Sequence, residues 1–156
     1  MKRIISGIAI LMLFLILSCK KKNQEYKNET ENIQVEQSEK SVSKTHENII
    51  SKNEGKYASE INFFDKNDIS DRLKKLTGAI TYKEIVEKFN VQTPIVSENN
   101  IYKLTGCLKN NCPAYMVTIL YDSNTDNLNI LVDKNGKIIE FNEKEKIHLT
   151  ETLKRK

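Results

Sequence analysis

From Pro94 to Phe141 the chain is a succession of short apolar runs, PIV, IYKLTG, AYMVTILY, LNILV and KIIEF, parted by polar segments such as SENN, DSNTDN and DKNG. Runs of this length, rich in β-branched and aromatic residues and bounded by turn formers, are strands. Asn135-Gly136 is the strongest hairpin signal among them, because both residues readily adopt positive φ. The pattern predicts a meander of about five antiparallel strands. Residues 115 to 121 are apolar at both alternations, which predicts a central strand covered on both faces.

Ahead of the strands the apolar period is helical. In NDISDRLKKLTG, Asp68 takes the N-cap position, Ile69, Leu73 and Leu76 fall on one face, and Gly78 stops the helix. TYKEIVEKFN opens on Thr81-x-x-Glu84, the spacing of a capping box, and carries a stripe of Tyr82, Ile85, Val86 and Phe89. Helices that precede most of an antiparallel meander predict an α+β domain, here residues 61–156, with short helices packed on the sheet. Ile147-His148-Leu149 is read as a last short strand and the basic LKRK tail as frayed.

Residues 20 to 60 are dominated by Lys, Glu, Asn, Gln and Ser, with no apolar period of either kind. Such a segment cannot bury enough surface to offset its ordering entropy. The expectation is a disordered stalk over residues 19–60, spanning on the order of 35 Å.

The start of the chain, MKRIISGIAILMLFLILSC, joins Lys2 and Arg3 to an apolar run from Ile4 to Leu17. That run is 14 residues, short of the roughly 18 to 20 needed to cross a bilayer. It fits the core of a signal peptide cleaved after export, read as a lipoprotein signal over residues 1–18, with an ordinary signal peptide or a short membrane anchor as the alternatives to the lipoprotein reading. Ile16-Leu17-Ser18-Cys19 resembles a bacterial lipobox. That resemblance implies a lipoprotein carrying palmitate-type chains on Cys19, in the cell envelope, on the periplasmic face or the cell surface. Lys20, Lys21 and Lys22 would then lie at the lipid headgroups or be simply solvated beside them.

With Cys19 assigned to lipid, Cys107 and Cys112 remain, and outside the cytoplasm such a pair predicts a disulfide. The spacing is not the C-x-x-C of thiol oxidoreductases, and no histidine adjoins it to complete a zinc site. Closing so short a ring contributes about 2 kcal/mol by loop entropy, modest for a fold but large for a loop. The bridge therefore fixes the shape of Leu108, Lys109, Asn110 and Asn111, which are either a partner-binding loop or a polar turn in a stapled hairpin.

Composition narrows the function. From Glu60 onward, 15 basic residues face 14 acidic ones, interleaved along the chain, so no nucleic-acid footprint stands out. The chain contains no phosphate-binding loop, G-x-S-x-G elbow or H-E-x-x-H helix. His46 falls in the stalk, where solvation is the expectation. His148, flanked by Ile147 and Leu149, is expected to be partly buried, and Glu143 and Glu145 to be solvated in a charged turn. The expectation is a protein that is not an enzyme and uses no cofactor or metal.

Two segments carry a family resemblance. LTGAITYKEIVEKFNVQTPI and NNIYKLTGCLKNNCPAYMVTILYD, within residues 76 to 141, resemble the inhibitor of vertebrate lysozyme family in the order helix, strand ending in Gly-Cys, short disulfide loop and apolar strand. The resemblance implies an envelope protein with helices flanking an antiparallel sheet, often a homodimer, whose protruding loop plugs the cleft of a c-type lysozyme. The family's loop pattern Cys-Lys-Pro-His-Asp-Cys is matched at Cys107 and Cys112 only. Leu108, Lys109, Asn110 and Asn111 stand in place of the lysine, proline, histidine and aspartate. The expected function is a membrane-anchored proteinaceous lysozyme inhibitor. The alternative is an envelope binding or scaffolding lipoprotein of the same fold without lysozyme affinity.

Overall fold

The computed structural model describes residues 45–155. The expected signal peptide, Cys19 and the expected stalk up to residue 44 lie outside the described residues. Helices α1 (Asp68–Thr77) and α2 (Ala79–Lys88) precede strands β1 (Val91–Gln92), β2 (Val96–Glu98), β3 (Ile101–Cys107), β4 (Tyr115–Asp122), β5 (Asn127–Lys134) and β6 (Lys137–Asn142). A last helix, α3, covers Glu151–Arg155. All strand pairs are antiparallel, in the order β1-β3-β4-β5-β6. β2 pairs with the Ile101 half of β3 and β1 with the Cys107 half. The α+β architecture is the expected one; the additional strand is the short β1.

Local chemistry sets the turns. Asn135 (φ 55°) and Gly136 (φ 82°) join β5 to β6, and Asn99 (φ 52°) and Asn100 (φ 65°) join β2 to β3. Positive φ at both central residues is the twist-matched geometry of a two-residue hairpin, which asparagine and glycine tolerate best.

One sheet face is the core. Leu104, Val117, Ile119, Tyr121, Ile130 and Val132 are fully buried there, against Ile69 and Leu73 of α1 and Ile85 of α2. On the reverse face Leu120 and Ile147 are buried, but Met116 remains 39 % exposed. The expected two-sided cover of β4 therefore holds for only part of its length. The covering piece is the segment after β6, which Asn129 draws in by accepting from the Ile147 amide at 2.6 Å. Residues 147–149 make no strand. The tail is helical instead, with Leu153 fully buried and its carbonyl accepting from Lys103 Nζ at 3.0 Å.

Residues 45–60, expected to be part of a disordered stalk, belong to the domain instead. Ile50 and Ala58 sit in the core, His46 N donates to the Ser123 carbonyl at 2.7 Å, and Ile95 N donates to Lys56 O at 2.8 Å. The segment contributes isolated apolar anchors between polar turns, and so has no period to detect. Capping also differs. Asn67, not Asp68, caps α1: its side chain accepts from Ser70 N at 2.9 Å and Ser70 Oγ accepts from Asn67 N at 3.1 Å. α2 starts directly after Gly78 (φ 78°), so Thr81 lies inside the helix and forms no capping box.

Candidate functional site

β3 and β4 are joined at one end of the sheet by residues 108–114, and Cys107 and Cys112 are bonded across their base with Cα atoms 4.8 Å apart. Within the ring, Asn111 N donates to Leu108 O at 2.9 Å. Asn110 has φ 64° and Lys109 does not have positive φ. A positive φ confined to the third residue of such a turn is the type II arrangement, which selects glycine or asparagine there. Ala114 N and Tyr115 N then donate to Asn111 O at 3.0 and 3.2 Å, and Leu108 N donates to Tyr115 O at 3.2 Å. The bridge and these bonds together leave the loop little freedom.

The four loop residues divide by role. Leu108 is half-buried against the core cluster, whereas Lys109, Asn110 and Asn111 are exposed. An apolar anchor inside and three polar groups outside give a presented edge of one cation and two amides. A carboxamide donates through its N–H groups and an ammonium donates three hydrogens, so this edge is matched to carboxylates and carbonyls.

The root of the loop rests on a residue pair that sequence reasoning did not single out. A Cβ at Gly106 would lie 2.4 Å from three ring carbons of Phe89, so glycine there is what lets the aromatic ring pack flat on β3. Phe89 is 3 % exposed, and the following Asn90 N donates to Cys107 O at 3.1 Å. The end of α2 is thereby fastened to the bridge itself. On the other flank, Asn135 N donates to Ala114 O at 3.0 Å, tying the β5–β6 hairpin to the loop's exit.

Tyr115, the first residue after the loop, forms a platform under both. Lys88 Nζ lies 4.4 Å from its ring centroid and Lys134 Nζ 5.7 Å. Glu84 accepts from both lysines, at 2.7 and 2.5 Å. Hydrogen bonding from Lys134 and then Lys88 holds the Glu84 carboxyl below its usual range. Among the described residues the buried Tyr115 hydroxyl has no hydrogen-bond partner, and burial, followed by the charge of Glu84, pushes its pKa up to about 12. The visible signal for this group was Glu84 and Lys88 at i,i+4 on one helix; the partner strand bearing Lys134 becomes visible only with the sheet register.

The remaining candidates lie elsewhere. His148 is exposed rather than partly buried, and His46 is exposed as expected. Glu143 is not simply solvated: it accepts from Arg72 of α1, which also donates to Asp126 at 2.8 Å. Hydrogen bonding to Glu143, opposed by burial and reinforced by Asp126, raises the Arg72 pKa further above its already high value. Glu145 is exposed. Among the described residues no group of three or more His, Cys, Asp or Glu side chains is arranged to hold a metal ion.

A family model described as inhibitor of vertebrate lysozyme matches residues 68–156, from the first residue of α1 through the disulfide loop and the whole sheet. The chain belongs to that family. Lysozyme inhibition is accordingly its functional class, and lysozyme the protein partner that membership implies. Comparison with curated proteins and with solved structures returned no significant match.

Proposed function

We propose that this inhibitor blocks lysozyme by inserting the Cys107–Cys112 loop into the enzyme's cleft, and that it works from a membrane surface. The observation that carries the reading is the loop's construction: a covalent clasp, an inward Leu108 and an outward row of Lys109, Asn110 and Asn111. A glycosidase cleft depends on a pair of carboxyl groups. An ammonium and two amides held on a stiff turn can meet such groups without the ordering penalty that weakens flexible ligands. The family histidine is replaced by Asn110, so acceptance of its N–H by a catalytic carboxylate takes the place of an imidazole contact. Lipid on Cys19 and the residues between it and the packed start of the domain near His46 complete the proposal, as anchor and tether.

The test is lysis of a peptidoglycan suspension by c-type lysozyme with the mature chain added, oxidised and reduced side by side. The oxidised chain is expected to slow lysis, and the reduced chain to do so several-fold less well. Undiminished lysis at micromolar excess, for c-type and other lysozyme classes alike, rejects the reading. One observation favours the alternative of a scaffolding lipoprotein: Asn110 has a conformational reason to be asparagine, its φ of 64°, that needs no partner. In that case loop substitutions alter stability and nothing else.

A further inference from the structure

The disulfide loop does not stand alone at its end of the sheet. The β5–β6 hairpin emerges beside it, fixed by the bond from Asn135 N to Ala114 O and by the pairing of Tyr115 with Lys134. The C-terminus of α2 closes the other side through Asn90 and Cys107. Together these pieces gather Lys88, Lys109, Lys134 and Lys137 against only Glu84 and Asp133, apart from the mutually paired Lys83 and Glu87. The surplus is two positive charges, in a domain whose whole balance from residue 60 is one. Glu84 is shared between Lys88 and Lys134, and Asp133 accepts from the Gly136 amide at 2.7 Å. Lys109 and Lys137 are exposed, and neither forms an ion pair among the described residues.

The opposite end of the sheet is arranged the other way. Arg72 is held there by Asp126 and Glu143 together, and the Lys144 ammonium donates to the Thr125 carbonyl at 2.6 Å. Arg72 and Lys144 are engaged by the fold there, and the exposed Lys75 lies beside Arg72 and Glu143, whereas the loop end presents Lys109 and Lys137 together without ion pairs among the described residues.

We propose that the partner is gripped by two prongs, the disulfide loop and the Lys134–Lys137 hairpin, and that this basic pole selects lysozymes whose cleft is bordered by acidic residues. The inference rests on the inhibitory reading above and adds to it a second contact element and a class of target. Complementary charge on a rim acts mainly on the rate of encounter and is screened by salt, whereas groups buried in the contact act on the rate of departure. In such a complex Lys137 would sit at the rim and the exposed loop residues inside the contact, so the two prongs have separable kinetic signatures.

The experiment uses the mature chain with two probes, a strongly basic c-type lysozyme and a lysozyme of acidic isoelectric point, and follows association and dissociation rates against salt. The acidic enzyme is expected to associate faster. Lys137→Glu should slow its association about 10-fold at low salt, with the difference closing by about 0.5 M and dissociation changing less than about 2-fold. Lys137→Gln, which removes charge without reversing it, should give an intermediate slowing and covers any folding defect of the first variant. If Lys137→Glu and Lys137→Gln both associate like the wild type while loop substitutions abolish binding, the second prong is wrong and the plug reading stands. If the wild-type chain binds neither enzyme, both readings fall.

Discussion

The two ends of the sheet are built from the same materials and differ in where their charges go. At the Asp122 end, Arg72 reaches from α1 to Asp126 and Glu143, the Tyr121 hydroxyl donates to Asp126 at 3.0 Å, and His46 N holds Ser123 O. At the Cys107 end a disulfide, a turn with one left-handed asparagine and a flat aromatic contact supply the rigidity. There the polar side chains of Lys109, Asn110, Asn111 and Lys137 are directed outward. One end uses polar groups to close the fold. The other obtains stiffness from covalent and apolar contacts and from the Glu84 pairs with Lys88 and Lys134, which leaves Lys109, Asn110, Asn111 and Lys137 available to a partner.

The largest effect should come from filling the space under Phe89. Gly106→Ala forces the ring or the strand to move, and overpacking of this kind costs about 2 to 3 kcal/mol. Chemical denaturation should record that loss, with inhibition weakened alongside because the root of the loop shifts. Replacing both Cys107 and Cys112 by serine should cost about 2 kcal/mol of stability. It should weaken inhibition far more than stability, since the remaining domain still folds around the helix-covered face. If inhibition were unaltered, rigidity would not be the contribution of that end.

At the opposite end the signature reverses. Arg72→Ala removes a partly exposed clamp on two acids and should lower stability by about 1.5 kcal/mol. Inhibition by the still-folded fraction should be unchanged, and a parallel loss would mean the two ends are not independent. Glu84→Gln should be the smallest change, below about 1 kcal/mol. Its sign with pH is definite. The folded carboxyl titrates below its unfolded value, so its stabilisation is complete above about pH 4.5 and disappears as pH falls through the depressed folded value. Denaturation of wild type and Glu84→Gln should therefore differ at pH 6 and converge at strongly acidic pH; a gap that widens on acidification contradicts the pairing.

Legibility in the sequence followed the range of the forces. The Asn135-Gly136 hairpin was readable because a two-residue turn depends on its own two residues, and the Cys107–Cys112 bridge because, on the expectation of export, a close pair without an adjoining histidine has few alternatives. What escaped depends on distant partners. Ile50 is core only because the sheet is there to receive it, and Glu84 meets Lys134 fifty residues away instead of capping its helix. Leu108, read together with Lys109, Asn110 and Asn111 as one partner-binding loop or polar turn, turns inward because the core begins directly beneath the bridge. Asn67 displaced Asp68 as cap because Ser70 could return its hydrogen bond, a reciprocity that position alone does not reveal.

The central claim is that the outward edge of the stapled loop is what lysozyme accepts. It is tested most directly by comparing cell-wall lysis in the presence of the wild-type chain and of a variant carrying Lys109→Ala, Asn110→Gly and Asn111→Ala. Glycine at position 110 keeps the left-handed turn while removing the amide. Both proteins should unfold at closely similar denaturant concentrations, and the variant should need at least about 10-fold more protein for the same inhibition. Equal inhibition by the two chains would place the lysozyme contact elsewhere on the molecule.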